Sequence, residues 1–599
     1  MPTLPHWDLS NVFPALESKE FETAIGTLTS QVGGLEKFFA ERIARLNPSA
    51  PIKELSAAAG EVIDRFNGVY ELSGTLRAYI HSFVTTDSHN KVAMKKMSEF
   101  QMVGLRIQNI SNQFQAWVGG IAPVLEKVIQ ANPSARAHAF FLREAALQSK
   151  FMMSQAEEAL AAELSLSGAS AWGKLQGVIT SQLTVDFELD GKISKLPMPA
   201  LINLHSHPDE SVRRRAYETE LAAWKTVEEP LAACMNGIKG TGNSLDHRRG
   251  RVDALHAAID MARIDRPTLE AMLGAMQSSF PVFRKYFKAK AKRFGKQKLA
   301  WWDLFAPSGK IGKKFDFIEG RDFIITHFGH FSSELAAFAR RAFDQDWIDV
   351  EPREGKRGGA FCMGLPTAKE SRVLCNFDGS LDQVSTIAHE LGHAYHNECV
   401  YQAGKTMIQQ DKPMTLAETA SIMSETIVME AVLSQTTDPQ ERLAIIETQL
   451  IGDTQVIVDI YSRYLFEKEV FERRKKSELS AGDLCAIMEQ SQKTAYGDGL
   501  DDRFLHKYMW TWKPHYYYPG LPFYNFPYAF GLLFGAGLYA IYLKRGADFI
   551  PDYKNLLAST GEASAADLAA RFGMDIRLPG FWEDSLGVIA SRIEKYCEL

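Results

Sequence analysis

At 599 residues the chain is too long for one small core, so at least two lobes are expected. Its 46% hydrophobic and 23% charged content is that of an ordinary globular protein, and a net charge of −6 leaves no basic field for nucleic acid or an anionic membrane. The cysteines (Cys234, Cys362, Cys375, Cys399, Cys485 and Cys597) include no C-x-x-C pair. That argues against a thiolate metal site and a disulfide framework, and for reduced thiols in the cytoplasm.

The opening stretch MPTLPHWDLSNVF lacks a basic segment followed by an apolar one, so it does not read as a secretory signal. From Phe21 to about Leu160 apolar residues recur at three- and four-residue spacings, as in Leu55, Ala58, Val62, Phe66 and Tyr70, then Leu72, Leu76, Tyr79 and Phe83. That period predicts helices, with Pro48, Pro51 and Pro133 near their ends and Lys91, Lys95, Lys96 and Glu99 on a solvated face. In 182–198, QLTVDFELDGKISKLPM, residues Thr184 to Leu189 alternate and Asp190-Gly191 signals a two-residue hairpin turn. The hairpin divides an N-terminal helical lobe, 1–195, from a second domain, 196–599. Helix resumes after Pro208, where PDESVRRRAYETELAAW opens with proline and acids.

Around Trp301, Trp302, Phe305 and Pro307 an irregular packed segment is expected. In EGKRGGAFCMG (354–364), Gly358-Gly359 is unfit for a helix interior and matches no phosphate-binding loop. It reads as a flexible turn near the site, with Gly358 and Gly359 as substrate-binding positions. Residues Arg372 to Phe377 alternate for most of their length, which predicts a half-buried edge strand able to accept an extended peptide as a further strand. The longest apolar run, Ala529 to Tyr542, is too short to span a bilayer and reads as a buried helix, its Gly531-x-x-x-Gly535 serving close packing.

Ser380-x-x-Gln383 has the form of a capping box that starts the next helix, and that helix carries His389-Glu390-Leu391-Gly392-His393. Residues four apart share one helical face, so His389 and His393 aim two imidazoles at one point with Glu390 beside it. In this H-E-x-x-H pattern two histidines hold zinc and the glutamate handles the proton of an activated water.

A catalytic zinc needs a third protein ligand. A metzincin would place glycine at 396 and histidine at 399, where this chain has His396 and Cys399. A carboxylate from the following helix, TLAETASIMSETIVMEA from Thr415, is the alternative. Spacing alone leaves Glu418, Glu425, Asp411 and Glu398 open, and Thr415-x-x-Glu418 also reads as a capping box that would occupy Glu418 with its own helix.

The chain resembles the thimet oligopeptidase and oligoendopeptidase F family of zinc peptidases, most closely its oligoendopeptidase F branch. The likeness is carried by GGAFC (358–362), DGSLDQVSTIAHELGHAYH (378–396) and LAETASIMSE (416–425), with WDLSNVF (7–13), GASAWGKL (168–175) and GMDIRLPGFWEDSL (573–586). It implies a mainly α, two-lobed ellipsoid with a deep central channel and a small β-sheet next to the zinc-binding helix. It implies Glu418 as third ligand to one zinc per chain, with Glu425 as the partner for a ligand histidine's other N–H. It further implies a histidine and tyrosines that stabilise the oxyanion; in HKYMWTWKPHYYYPGLPFYNFPYAF (506–530) the matching positions are His515, Tyr528 and, for substrate binding, Tyr524. Asn525 departs from the tyrosine of thimet-type enzymes.

The resulting expectation is a cytoplasmic zinc metalloendopeptidase that cuts internal bonds of short unfolded peptides. Glu390 serves as base and acid, with no nucleic-acid or membrane partner and the chain a monomer or homodimer. The alternatives are a gluzincin carboxypeptidase and a catalytically inactive peptide-binding helical scaffold.

Overall fold

The computed structural model describes residues 4–309 and 314–599, which leaves the first three residues of the N-terminal stretch outside the description. Helices dominate because the three- and four-residue spacing is realised as buried stripes. Helix α1 (Lys19–Glu41) starts where Ser18 accepts the Phe21 N–H. Helix α2 (Ile52–Thr86) follows Pro51 and buries Leu55, Val62, Phe66, Val69, Leu76 and Tyr79. Helix α3 (Lys91–Gly120) is capped by Asn90. The hairpin forms as its sequence predicts, β1 (Thr184–Leu189) pairing antiparallel with β2 (Lys192–Pro197). Asp190 and Gly191 both take positive φ, 53° and 75°, as that turn requires. Helix α4 (Glu210–Lys225) begins at Asp209. Strands β3 (Ile348–Asp349), β4 (Phe361–Leu365) and β5 (Glu370–Leu374) precede α5 (Leu381–Gln402), α6 (Thr419–Gln435) and α7 (Phe526–Arg545).

The chain divides into two compact units. The first comprises Met1–Met152, Lys313–Ala431 and Ile541–Gly573; the second comprises Met153–Gly312, Val432–Ala540 and Met574–Leu599. In the first, the three-stranded sheet has the order β3-β5-β4, with β3 parallel and β4 antiparallel to β5. Helix α5 packs on one face of β4 and β5, and α2 packs on β4. Gly364 makes the first contact possible, because an added Cβ would lie 2.7 Å from the Tyr401 hydroxyl on α5.

The strand expected at the edge is central. Its alternation suggested one wet face, yet Arg372 is buried and its guanidinium is satisfied internally, by Asp8 C=O at 2.7 Å and Asn11 Oδ1 at 2.9 Å. The terminal strands are β3 and β4, and the Gly358-Gly359 turn leads into β4.

In the second unit the aromatic stretch is tied down by its backbone carbonyls. Gln176 Nε2 donates to Thr511 C=O at 3.0 Å and Gln492 Nε2 to His506 C=O at 3.0 Å. Gly173 admits Tyr517 C=O, which would lie 2.7 Å from an added Cβ. The apolar run of Ala529 to Tyr542 grows into a 20-residue helix, α7. The stretch Phe526–Ala558 is long and apolar enough to cross a membrane, but 61% of its most apolar window is buried inside the protein. A core helix passes the same test.

Candidate metal centre

The first unit holds the sequence-predicted trio. Ser380 caps α5 by accepting the Gln383 N–H at 3.3 Å. The reciprocal half of the expected box is different: the Ser380 N–H goes to Asp378 Oδ1 at 2.8 Å. His389 thus falls in the third turn, where neighbours hold it, and its ring lies edge-on to His393 with centroids 5.0 Å apart.

Glu418 is not in the first turn of one continuous helix. The chain makes a short turn of helix, Met414–Ala417, behind Pro413 with no side-chain cap, and α6 begins at Thr419. Glu418 sits at the break (φ −82°, ψ 1°), so its carboxylate is not spent on capping Thr415. It turns instead to the histidines: Oε2 lies 3.3 Å from His389 Nε2 and 3.4 Å from His393 Nε2. Ser421 Oγ donates to the same oxygen at 2.7 Å. Sequence reasoning missed Ser421, although its place three residues after Glu418 was a signal for such a bond.

Glu425 Oε2 lies 3.1 Å from His389 Nδ1. A carboxylate only accepts, so this bond assigns the ring proton to Nδ1 and turns the Nε2 lone pair towards Glu418. Two acceptors then face each other, an arrangement that calls for a proton or a metal cation between them. One donor atom each from His389, His393 and Glu418 lie within 4.8 Å of one another. Two imidazoles and a carboxylate thus fit a divalent ion of the zinc type.

Without an ion, a second proton would take its place: burial opposes charge on His389, but bonds to Glu418 and Glu425 override it and push its pKa up to about 10, so that a metal bound at Nε2 would displace that proton. Glu418 is also opposed by burial, yet the two histidines hold its carboxyl far below the ordinary range. Glu390 is buried beside them and held above the usual carboxylate value, chiefly by burial, although the histidines pull the other way. A raised carboxyl suits a group that both takes and returns a proton.

The other candidates are engaged elsewhere. Glu398 binds Arg341 at 2.7 Å and Gln402 at 2.8 Å. Asp411 is not among the converging donors. His396 is fully buried, with Nε2 3.1 Å from Leu557 C=O and 2.9 Å from Thr560 Oγ1, and burial keeps it neutral. Gly359 takes φ 80° in the turn before β4, and Asn376 Nδ2 holds that turn through Gly359 C=O at 2.9 Å and Arg357 C=O at 3.1 Å. Gly358 precedes it in an exposed bend.

The second unit gathers the remaining residues. His515 stacks on Tyr524 at 5.0 Å and 20°, and Tyr528 stands edge-on to both, at 6.4 and 5.7 Å. Burial, with Arg463 and Lys513 nearby, lowers His515 to about 4. Its imidazole is therefore neutral near pH 7, a hydrogen-bond donor without net charge.

Comparison with known proteins gives the same direction. The profile of peptidase family M3 matches residues 203–588, and that of oligopeptidase F matches 122–184. Oligoendopeptidase F (chromosomal) of Lactococcus lactis subsp. cremoris is 23% identical over 394 residues, 66% of this chain and 65% of that protein, just under two thirds of its length. Group B oligopeptidase PepB of Streptococcus agalactiae is 22% identical over 598 residues, 98% of this chain and 96% of that one. The crystal structure of a Chlamydophila abortus protein superposes with a TM-score of 0.84 at 18% identity, covering 99% of this chain and 98% of that one.

Proposed function

Because the chain belongs to peptidase family M3, we propose that it is a zinc-dependent oligoendopeptidase that cuts internal bonds of short, unfolded peptides. The observation that carries this reading is the convergence of His389, His393 and Glu418, with Glu390 buried beside them. A bound divalent ion there supplies Lewis-acid activation of water and of the scissile carbonyl.

The chain's own residues do the rest. Glu390 takes the proton of the attacking water and returns it to the leaving amine. Glu425 fixes the tautomer and orientation of His389 through Nδ1. His515 and Tyr528 donate hydrogen bonds to the oxygen on which negative charge develops, and Tyr524 keeps the His515 ring in place by stacking. Strand β4 offers main-chain groups to an extended peptide regardless of sequence, and the Gly358-Gly359 turn leaves its start open to substrate. The free cysteines fit a cytoplasmic enzyme, acting as a monomer or homodimer.

Metal analysis combined with a timed digest of an internally quenched peptide tests the reading. Zinc near one per chain, internal fragments by mass spectrometry, and loss of cleavage on chelation with recovery on adding zinc are expected. Single-residue losses from the C-terminus would instead identify a carboxypeptidase. Metal-free protein that binds peptides and leaves them intact would identify an inactive scaffold.

A further inference from the structure

Beside β4, on the face turned away from the metal helix, lies a group of cations that the chemistry above does not use. The strand's alternation separates its two faces. Gly364 turns to α5, whereas Phe361 and Met363 turn to α2, Met363 Sδ lying 3.9 Å from Ser82 Oγ. The Phe361 ring sits 5.4 Å from His81 on α2, and the Arg357 guanidinium lies over it at 5.9 Å. Arg77 is one turn before His81 on the same helical face.

Tyr79, on the other side of α2, turns inward and donates to Phe13 C=O at 2.9 Å. That leaves Arg77 and His81 at the outer rim. The Arg357 N–H donates to Thr85 C=O at 2.8 Å, which anchors the turn to α2.

The neighbouring charges are otherwise occupied. Arg353 and Lys356 are each 2.7 Å from Asp349, and Asp87 accepts the His89 N–H at 2.9 Å. Arg77 and Arg357 are exposed and, among the described residues, form no ion pair. Burial together with these two arginines lowers the His81 pKa, as expected of a locally positive site.

A peptide added beside β4 sends alternate side chains to the α5 face and the α2 face. Resting on the peptidase reading above, we infer that Arg77 and Arg357, gathered around His81, form a carboxylate-binding subsite that takes an acidic side chain or the C-terminal carboxylate of a peptide laid along β4. The enzyme then favours peptides that carry a carboxylate at one fixed position relative to the cut.

The test uses matched peptides with Glu or Gln at successive positions around one cleavable bond, each made with a free and an amidated C-terminus. Cleavage is read as kcat/KM, and binding by fluorescence anisotropy to the Glu390→Gln protein. At one position Glu should exceed Gln by about fivefold. If the C-terminal carboxylate is the ligand, the free acid should instead exceed the amide by a similar factor. Arg77→Ala should bring that ratio towards one, and Arg357→Glu should invert it in both assays. Ratios near one at every position in the parent protein, or ratios untouched by both substitutions, overturn the subsite. Failure to cleave any peptide overturns the peptidase reading, while the binding ratio still judges the subsite.

Discussion

Gly392, the residue immediately before the second candidate ligand histidine, lies against Ala420 on the neighbouring helix. A Cβ added to it would sit 2.5 Å from the Ala420 carbonyl oxygen and 2.6 Å from Ser421 Cα. Both obstacles are backbone, so neither swings aside. The absence of a side chain at Gly392 therefore sets how closely Glu418 approaches His389 and His393. Gly392→Ala would gain about 1 kcal/mol of helix propensity. Overpacking at this contact costs about 1–3 kcal/mol, so the net change should be destabilising, with the two helices pushed apart and zinc affinity reduced by about tenfold or more. Zinc titration and the thermal midpoint check this; a variant more stable than the parent with full zinc affinity would refute it.

Glu425→Gln keeps the side chain's size and removes the charged acceptor 3.1 Å from His389 Nδ1. Zinc affinity should fall by about 10- to 100-fold, while helix content is retained. Competition with a chromophoric chelator measures it, and unchanged affinity would mean that Glu425 does not orient the ring.

The parts of the site legible in the sequence were those fixed by helical period. His389 and His393 share a face because they are four apart, and Asp190-Gly191 announced its turn because glycine, asparagine and aspartate take positive φ most readily. Glu418 was ambiguous, since one spacing served both a cap and a ligand; the break in the helix behind Pro413, a tertiary result, decided its direction. Arg372 misled because a charged residue in an alternating run suggests solvent. Its partners, Asp8 C=O and Asn11, lie more than 350 positions away, beyond any local pattern.

Buried His396 gives a pH dependence with a definite sign. Its pKa is driven well below the ordinary value by burial first, then by Lys412 and His393. The unfolded chain takes up this proton near pH 6.5, at about the model-peptide value, and the folded one does not. The stabilisation is therefore fully present above about pH 6.5 and lost as pH falls, by at most about 1.4 kcal/mol per pH unit. His396→Gln retains a donor for Leu557 C=O and removes the titration, so its unfolding midpoint should decline less between pH 7 and 5. Parallel curves for the two proteins would show that His396 is not titrating in that range.

Glu390→Gln separates metal binding from proton transfer. The substituted amide is isosteric and cannot take a proton, whereas the three converging donors are untouched. Zinc content should remain near the parent's and kcat should drop by about two to four orders of magnitude. Near-native turnover of a quenched peptide would remove Glu390 from the proposed role.

His515→Ala and Tyr528→Phe test the second unit's contribution. Because His515 is lowered to about 4 and is neutral at working pH, it would act as a donor rather than a charge. Losing either donor should cost about two to three orders of magnitude in kcat with KM little changed, since the bond strengthens as charge develops on the oxygen. His515→Ala also removes the ring that Tyr524 stacks on, so Tyr524→Phe, which keeps the stack, serves as the comparison and should cost less. A rise in KM at constant kcat for His515→Ala and Tyr528→Phe would assign these residues to ground-state binding and remove them from oxyanion stabilisation.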